Sequence, residues 1–477
     1  MKIRMIVIGG GPGGYVAALQ AALMGAQVTL VEKEDLGGTC LNWGCIPSKI
    51  MKQAADMVSK FKQADQYGIT MDNNIGFNMK MLMAKKNKVL ESQRNGIESL
   101  LKNRSIHIEK GQAVIKSHNR VDVIFKDGSI KEFEYDRLII ATGTTPFNVP
   151  DFPFDHTSVL SSDDLLNLEQ VPSSIVIVGA GVIGCEFAFI LSALGSKVTL
   201  VEAMSRVLPF PDMDMDISKL LLREMKKRKI TVLCDTIVQK IETKNQKSFV
   251  YLDHSPFTDN PDPKPIKTRL IETQKIGVCI GRSPNTAGLG LEKIGVELSE
   301  KGWINVDEYC QTQIKGVFAI GDILGPQKIM LAHVASHEGL VAAANAMGHE
   351  KTMDYSAVPM AIFTMPEIGS VGLTEKTATQ KGYHFRVETV NFRNLGKAHA
   401  IDELAGMGKM IVQQTSDTIL GVHLIGAHAT DLIAEAVLAV KQQMSVKDLS
   451  NIIHAHPTLS EIMGELALKA SGMSVHG

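Results

Sequence analysis

A strand, a glycine turn, a helix and a second strand ending in an acid occur twice in this chain of 477 residues, and this repeat constrains the fold most strongly. In the first copy an apolar run over residues 3–8 precedes the turn, helical spacing follows over 15–24, and a second apolar run over 26–31 ends at Glu32. Such a unit binds a dinucleotide, because the glycines let a pyrophosphate approach the backbone and the acid accepts hydrogen bonds from a ribose. The glycines of this first copy are Gly9, Gly11 and Gly14.

The second copy has the same order of parts. Strands are predicted over 174–178 and 197–201, a helix over 186–194, and Glu202 follows 18 residues after the third glycine, the same spacing as in the first copy. An acid at this place favours NAD, because it binds a free 2′-hydroxyl and repels a 2′-phosphate. Two bound dinucleotides are therefore predicted, the alternative being a duplication with one inactive copy. The glycines here are Gly179, Gly181 and Gly184.

Two cysteines follow the first unit closely. Four residues separate Cys40 from Cys45, which is wide for a Cys-x-x-Cys motif and unusual for a zinc knuckle, so we predict no metal site. Their place near a bound dinucleotide suggests a disulfide that exchanges electrons with the cofactor, whereas two buried structural thiols are the alternative. Lys49 lies four residues beyond Cys45, on the same helical face. The remaining thiols lack partner spacing and are expected to be small core or strand residues: Cys185, Cys234, Cys279 and Cys310.

Composition excludes several classes of function. Hydrophobic residues make up 44% and charged residues 21%, which supports a large core, and the length allows about three or four domains. A net charge of −1 gives no electrostatic case for binding nucleic acid or an anionic membrane surface. No apolar run approaches the roughly 20 residues of a membrane span. The first residues enter a strand directly, and six cysteines are too few for a secreted disulfide scaffold, so a cytoplasmic location without a signal segment is expected.

These features together resemble a known family. The stretch from Cys40 to Lys49 (CLNWGCIPSK), the paired glycine units and His456-Pro457-Thr458 are similar to those of dihydrolipoamide dehydrogenases, which are FAD-dependent pyridine nucleotide-disulfide oxidoreductases. The resemblance runs from about residue 3 to about residue 470. It implies an α/β fold with two Rossmann-like dinucleotide-binding domains and a C-terminal α+β dimerisation domain. The implied boundaries are 1–148 for the first part of the FAD-binding domain, 149–275 for the NAD-binding domain, 276–347 for the second part of the FAD-binding domain and 348–477 for the dimerisation domain.

The resemblance also implies an activity and partners. The chain would oxidise protein-bound dihydrolipoamide to lipoamide, passing electrons through the Cys40–Cys45 disulfide and FAD to NAD. It would do so as a homodimer within 2-oxo acid dehydrogenase or glycine cleavage complexes, where lipoyl domains and the acyltransferase core are its partners. No nucleic acid or membrane partner is expected.

Roles for the catalytic residues follow from the same resemblance. Cys45 would face the flavin as a thiolate, with its pKa lowered by a helix N-terminus and by Lys49, and Cys40 would exchange with the lipoyl disulfide. Lys49 would lie beside the flavin with Glu186 as its ion partner, although Glu186 could instead be an ordinary acid of a first helical turn. The base would be His456, oriented by Glu461 and reaching the flavin site of the other subunit, and His454 is the competing candidate. The local sequence adds one prediction: a base directly before a proline and far from the cysteines has to be positioned, so we predict a cis His456–Pro457 bond.

Further cofactor contacts are implied by the resemblance alone. The FAD set comprises Gly9, Gly11, Gly14, Glu32, Lys49, Gly111, Thr142, Gly143, Asp322 and Ala332, with Asp322 on the ribityl chain. The NAD set comprises Gly179, Gly181, Gly184, Glu202, Val238 and Gly281.

Two other functions stay open at this point. One is a different FAD-dependent disulfide reductase with a glutathione-like or mercuric substrate, against which Glu202 and the lack of a C-terminal cysteine pair argue. The other is a docking subunit of a lipoyl complex with little turnover, against which the intact cysteines and His456 argue. Four prolines between residues 254 and 265 predict an exposed loop inserted in the second dinucleotide unit.

Overall fold

The computed structural model describes residues 2–70, 76–244, 247–257 and 269–473. Strands and helices alternate along much of this length, as an α/β fold requires. The helices are α1 (Pro12–Leu23), α2 (Gly38–Asn42), α3 (Cys45–Phe61), α4 (Met79–Asn103), α5 (Ser162–Leu165), α6 (Val182–Ala193), α7 (Met215–Lys227), α8 (Ala332–Ala346), α9 (Glu375–Gln380), α10 (Gly396–Ala400), α11 (Ala429–Lys441), α12 (Val446–Ser450) and α13 (Glu461–Ala470). Short 3₁₀ helices lie at Ala64–Tyr67, Leu291–Ile294, Gly321–Leu324 and Phe392–Asn394.

The strands are short, and those of the two glycine units are parallel. They are β1 (Arg4–Ile8), β2 (Gln27–Glu32), β3 (His107–Lys110), β4 (Gln112–Ser117), β5 (Arg120–Ile124), β6 (Ile130–Glu134), β7 (Arg137–Ile140), β8 (Thr144–Pro146), β9 (Val159–Leu160), β10 (Ser174–Val178), β11 (Lys197–Val201), β12 (Thr231–Leu233), β13 (Thr236–Lys244), β14 (Lys247–His254), β15 (Leu270–Thr273), β16 (Lys275–Val278), β17 (Arg282–Pro284), β18 (Val317–Ala319), β19 (Met360–Ile362), β20 (Glu367–Gly372), β21 (Phe385–Asn391), β22 (Met407–Gln413) and β23 (Ile419–Gly426).

The first of two compact units is built from Met1–Met51, Asn78–Phe147 and Gly281–Asp354. Its main sheet has the order β18-β7-β1-β2-β3, and all of its pairings are parallel. An antiparallel sheet β4-β5-β6 and the pair β8–β17 complete it. Helix α8 packs closely on α1, since a Cβ placed on Gly339 would lie 2.5 Å from the carbonyl oxygen of Gly13. The lack of a side chain at Gly339 on α8 therefore lets the two helices approach closely.

The second unit is built from Lys52–Phe77, Asn148–Ile280 and Tyr355–Gly477. A parallel sheet of order β12-β11-β10-β16-β9 carries the second glycine turn, and the strands of the antiparallel sheet β13-β14-β15 lie between β12 and β16 in the chain. A third sheet, β19-β20-β23-β22-β21, is antiparallel throughout. Helices α11 and α13 pack on this last sheet around a core that includes Val422, Leu424, Ile462 and Leu466.

A buried lysine joins two parts of the second unit. Lys409 on β22 is 1% exposed, and its ammonium lies 2.9 Å from Asp214, 2.8 Å from Asp216 and close to Glu375. Burial acts to lower the pKa of Lys409, but the three carboxylates outweigh burial and raise it. Asp216 also meets Lys219 at the surface, at 3.3 Å. The buried cation thus ties the start of α7 to the third sheet.

Both helices that follow the glycine turns start earlier than the sequence predicts. The predicted strands 174–178 and 197–201 are confirmed, but α1 begins at Pro12 rather than at residue 15, and α6 begins at Val182 rather than at residue 186. Glycine has a low helix propensity, so the sequence predicts that the glycine-containing segments belong to the turns and not to the helices. In the fold, close packing of the last glycine of each turn fixes the first helical turn despite that preference.

Part of the predicted proline-rich loop lies outside the described residues. His254 ends β14 and residues 255–257 follow it, whereas 258–265 are not among those described. Among the described helices, none has the length and apolar character needed to span a membrane. Within the same residues no group of His, Cys, Asp and Glu is arranged to hold a metal ion.

Candidate active site

The first glycine turn is shaped by contacts that only glycine permits. Gly9 has φ +102°, and a Cβ there would lie 2.3 Å from the carbonyl oxygen of Ala141. A Cβ on Gly14 would lie 1.8 Å from the carbonyl oxygen of Gly9. Above Gly11 there is space, because the nearest atom to an added Cβ is the Cα of Gly38 at 3.8 Å. Gly11 is also the N-cap of α1, without a side-chain cap, so the helix start fits a pyrophosphate.

The second turn repeats this geometry closely. Gly179 has φ +98°, and its added Cβ would lie 2.5 Å from the carbonyl oxygen of Cys279. A Cβ on Gly184 would lie 1.9 Å from the carbonyl oxygen of Gly179. Gly181 is the N-cap of α6, again without a side-chain cap, and is open except for Phe210 at 3.5 Å. Both turns therefore have a shape that fits a phosphate, and both keep the glycine contacts that an inactive copy would be free to lose.

Glu32 is held by the backbone of the first turn. Its Oε2 accepts the N–H of Gly10 at 2.6 Å and its Oε1 accepts the N–H of Glu34 at 2.8 Å. Burial raises the pKa of Glu32, and these two N–H groups oppose that shift. Gly111 lies against the same residue, because its N–H donates to the carbonyl oxygen of Glu32 at 2.9 Å. A carboxylate fixed at the end of β2 is suited to a ribose diol, as predicted for Glu32.

Glu202 is held in the same way at the end of β11. Its Oε2 accepts the N–H of Ala180 at 2.6 Å, and its Oε1 accepts the N–H of Met204 at 2.8 Å. The N–H of Thr236 donates to the carbonyl oxygen of Glu202 at 3.0 Å, which corresponds to the Gly111 contact in the first unit. Val238, two residues further on, is buried in the apolar core of the second unit. The carboxylate of Glu202, held in place by these backbone N–H groups, fits the ribose of a second dinucleotide.

Asp322 is the second residue of the 3₁₀ helix Gly321–Leu324 in the first unit, and it is hydrogen-bonded to a threonine that an arginine holds in turn. Its Oδ2 accepts the hydroxyl of Thr144 at 3.3 Å. Arg282 donates from Nε to that hydroxyl at 2.7 Å and from Nη2 to the carbonyl oxygen of Thr144 at 2.9 Å. Burial raises the pKa of Asp322, and the charge of Arg282 opposes the shift. The sequence alone gives Arg282 no role, yet its charge acts to lower the pKa of Asp322.

The other predicted cofactor residues of the first unit lie in turns and at a helix start. Thr142 and Asn285 exchange two hydrogen bonds, each of 2.9 Å, between a side chain and a carbonyl oxygen. Gly143 and Gly281 have φ of +62° and +131°, and no atom within 4 Å would meet a Cβ on either. Ala332 is the first residue of α8. Space beside these glycines is compatible with a ligand, and the contacts themselves stay predictions.

The two cysteines lie on helices α2 and α3, which are joined by a short link in the chain. Cys40 is in α2 and half-buried, whereas Cys45 is the first residue of α3 and exposed. The two thiols are hydrogen-bonded, and this bond, reinforced by burial, raises the pKa of Cys40, while the charge of Lys49 acts the other way. The hydrogen bond to Cys45 and burial both disfavour a thiolate on Cys40. The separate roles of the two cysteines toward flavin and substrate stay predictions.

Lys49 belongs to the first unit and Glu186 to the second. The ammonium of Lys49 lies 3.3 Å from the hydroxyl of Ser48, one turn beyond Cys45 on α3. Glu186 on α6 is 6% exposed and accepts the N–H of Phe363 at 3.0 Å. Such burial is unlike an ordinary surface acid of a first helical turn. The Lys49–Glu186 ion pair stays a prediction.

His456 and Glu461 form the predicted base and its orienting acid. Nδ1 of His456 lies 2.8 Å from Oε1 of Glu461, and Oε2 of Glu461 accepts the N–H of Thr458 at 2.9 Å. Burial acts to raise the pKa of Glu461, but the Thr458 N–H and His456 outweigh it and lower the pKa. The His456–Pro457 peptide is cis, as predicted. The imidazole is 75% exposed and held through one nitrogen, as a base that serves an external thiol should be.

His454, the competing candidate, is occupied by the protein itself. Its Nδ1 lies 3.1 Å from the carbonyl oxygen of Ile452, and its Nε2 lies 2.9 Å from Glu435. The side chain is only 10% exposed, and a Cβ on Gly464 would lie 2.8 Å from its ring. Both ring nitrogens are therefore engaged, which favours His456 as the base.

The four remaining thiols are poor nucleophiles. Cys185 and Cys310 are buried, and Cys234 and Cys279 are partly exposed next to strands, as expected for small structural residues. Burial raises the pKa of Cys234 to about 11 and those of Cys279 and Cys310 to about 12. Burial also raises the pKa of Cys185 well above its ordinary value.

Comparison with known proteins identifies the class. The family model for pyridine nucleotide-disulphide oxidoreductases matches residues 3–339. The model for the dimerisation domain of the same family matches residues 358–467. The chain therefore belongs to the pyridine nucleotide-disulphide oxidoreductase family, and the family predicted from its motifs is confirmed.

Relatives that span the full chain are more specific. The dihydrolipoyl dehydrogenase of Chlamydia muridarum is 39% identical over 473 residues, covering 99% of this chain and 97% of the relative. That of Geobacillus stearothermophilus is 36% identical over 477 residues, covering 100% of this chain and 98% of the relative. The crystal structure of LpdA from Mycobacterium tuberculosis has a TM-score of 0.89 at 25% identity, covering 98% of this chain and 99% of that one. These matches confirm the predicted fold class.

A second solved structure has the same fold and a different description. The HOCl-induced flavoprotein disulfide reductase RclA from Escherichia coli, solved as a Cu(II) complex, has a TM-score of 0.84 at 25% identity. It covers 98% of this chain and 99% of its own. The fold is therefore shared by disulfide reductases, so the residues of the site have to separate their activities.

Proposed function

We propose that this protein is a dihydrolipoyl dehydrogenase that oxidises protein-bound dihydrolipoamide to lipoamide with FAD and NAD. The full-length relatives carry this activity in their names, and they confirm the enzyme class and the two cofactors predicted from the sequence. The observation that carries the proposal is the hydrogen-bonded pair of Cys40 and Cys45, directly after a glycine turn that fits a dinucleotide. When this pair is oxidised to a disulfide, it can take two electrons from a second dithiol, which is oxidised in turn.

The residues of this chain suit thiol–disulfide exchange. A thiolate of dihydrolipoamide attacks the Cys40 sulfur of the disulfide, and Cys45 leaves as a thiolate. The second substrate thiol then attacks the mixed disulfide, which releases lipoamide and leaves Cys40 reduced. His456 takes the proton of the attacking thiol at Nε2, because Nδ1 donates to Glu461. Two electrons and two protons thus leave the substrate.

The cofactor residues have separate duties. FAD, when bound, supplies the two-electron acceptor between the dithiol and NAD. The first turn, Glu32 and Asp322 hold its phosphates and its hydroxyls, with Gly111, Thr142, Gly143 and Ala332 as further contacts. The second turn and Glu202 hold NAD, with Val238 and Gly281 as further contacts. Lys49, paired with Glu186, supplies a fixed positive charge near the flavin.

The domain assignment follows these duties. Residues 1–148 and 276–347 form the FAD-binding domain, and 149–275 form the NAD-binding domain. Residues 348–477 form the dimerisation domain, which the dimerisation-domain match over 358–467 supports. A homodimer would bring His456 of one subunit to the Cys40–Cys45 pair of the other.

The partners and location go further than the family itself. We infer that the homodimer acts on lipoyl domains and binds the acyltransferase core of a 2-oxo acid dehydrogenase complex, or serves the glycine cleavage system. A cytoplasmic location suits a catalytic disulfide that has to be reduced and reoxidised.

Activity with free dihydrolipoamide tests the proposal against its rivals. We expect the purified protein to reduce NAD with dihydrolipoamide and to be yellow. A glutathione-like or mercuric reductase would instead turn over its own disulfide or metal substrate with a reduced nucleotide. A docking subunit would bind the acyltransferase core with negligible turnover. No NAD reduction by a fully FAD-loaded dimer would refute the proposed activity.

A further inference from the structure

A buried asparagine between the two redox cysteines organises the loop that carries them. Asn42 ends α2 and is 6% exposed. Its Nδ2 lies 3.1 Å from the carbonyl oxygens of Leu36 and Gly38 and 3.3 Å from that of Asp35. An amide nitrogen has two hydrogens, so three carbonyl oxygens share two donors. The side chain thus fastens the preceding segment to the helix that bears Cys40.

That segment rests on the first glycine turn. The N–H of Gly37 donates to the carbonyl oxygen of Gly10 at 2.8 Å. A Cβ on Gly38 would lie 2.6 Å from the Cα of Gly11, so the start of α2 is in contact with the turn. The place of α2 is therefore set relative to the turn that cradles the pyrophosphate.

An arginine from a distant helix completes this arrangement. Arg94 on α4 donates from Nη1 to Oδ1 of Asn42 at 3.1 Å, and the same guanidinium lies 3.6 Å from the carboxylate of Asp35. A charged donor makes a stronger hydrogen bond than a neutral one and polarises the amide, which strengthens the amide's own N–H donors. Removing Arg94 should therefore weaken the hydrogen bonds from the Asn42 amide to the carbonyl oxygens of the preceding segment.

We propose that Asn42 and Arg94 form a clamp that positions Cys40 relative to the first glycine turn, and so relative to Cys45 and the flavin. Both act through α2, which makes them positioning residues. The inference rests on the proposed function, because it takes Cys40 to be the thiol that exchanges with the substrate. It adds a residue from α4, outside the cysteine motif, to the control of the redox pair.

The test replaces Arg94, which is partly exposed and so can be changed without opening the core. In Arg94→Met, kcat for NAD reduction by dihydrolipoamide should fall about tenfold with little change in KM, as loss of one charge-assisted hydrogen bond implies. NADH oxidation by ferricyanide, which draws electrons without the disulfide, should be unchanged. The charge-transfer band of the partly reduced protein should weaken. Arg94→Lys should restore most of the band and the rate, and Arg104→Met, at the exposed C-cap residue of the same helix, is the matched control.

Two results would overturn the clamp. One is an Arg94→Met protein with the wild-type band and rate. The other is a parallel loss of FAD and of both activities that Arg94→Lys does not rescue, since that would mark a purely structural contact. Failure of the proposed function is a separate result, because the wild type itself would then lack dihydrolipoamide activity, and the band would still report on the clamp.

Discussion

Replacing Glu202 by glutamine should weaken NAD binding and remove much of the discrimination against NADP. The carboxylate accepts the N–H groups of Ala180 and Met204 at 2.6 and 2.8 Å, one on each oxygen. Glutamine keeps the volume but has a single acceptor oxygen, so one N–H would face an NH₂ group. The variant therefore loses the charge, one backbone contact and one of the two acceptors for the ribose hydroxyls.

The substitution should weaken the binding of NAD and should not weaken the binding of NADP. A lost hydrogen bond to a charged group costs about 1.5–3 kcal/mol, and about 1.4 kcal/mol is a factor of ten, so the Kd for NADH should rise about tenfold to a hundredfold. Two unit charges 4 Å apart repel by about 4 kcal/mol at an effective dielectric constant of 20, and the variant relieves this repulsion for a 2′-phosphate. NADP binding should therefore be unchanged or tighter. The wild-type preference for NAD, about tenfold or more, should move toward equality.

The assay compares kcat/KM for NAD and NADP and measures NADH binding by fluorescence. The matched control is Glu32→Gln, because Glu32 holds the other turn through contacts of the same lengths, 2.6 and 2.8 Å. That variant should lose FAD more easily and keep the NAD preference of the remaining holoenzyme. Equal use of NAD and NADP by the wild type, or full preference in Glu202→Gln, would refute the reasoning.

Three further predictions address the cofactor, the dimer and the core. Partial reduction should add a long-wavelength charge-transfer band from the Cys45 thiolate; Cys45→Ser should abolish it, Cys40→Ser should show it without reductant, and a colourless, fully loaded preparation would contradict the assignment. Mixing inactive Cys45→Ser and His456→Ala proteins under conditions that exchange subunits should restore activity, and inactive mixed dimers would exclude a cross-subunit site. Lys409→Met should lower the free energy of unfolding in urea by about 3–5 kcal/mol, because it leaves a buried carboxylate unpaired, whereas the surface Lys219→Met should cost less than about 1 kcal/mol. Equal losses of unfolding free energy in these two variants would show that the buried ion pair does not account for the effect.

Local sequence was a reliable guide where backbone geometry leaves a residue signature. Gly9 and Gly179 need positive φ, and Gly14 and Gly184 need to lack a Cβ, so the two turns could be located from glycine spacing together with the flanking strands and the acid. The helix starts were missed because propensity treats glycine as a breaker, while packing against the turn decides the matter.

Side-chain contacts between distant segments were beyond the sequence. Arg94 and Asn42 are 52 residues apart, and Arg282 and Thr144 are 138 residues apart. Neither pair produces periodicity or fixed spacing, so only the folded chain shows them. The raised pKa of Cys40 was likewise missed, because it depends on the orientation of two thiols rather than on their separation in sequence.

The raised pKa values of the other four cysteines make this protein selective toward thiol reagents. A thiol with a pKa near 11, as for Cys234, is ionised at pH 7 to only about one part in ten thousand. The remaining three are raised at least as far. An alkylating label or a mild oxidant is thus directed to the redox pair, and the amount of label taken up by the native protein measures how much of its catalytic disulfide is open.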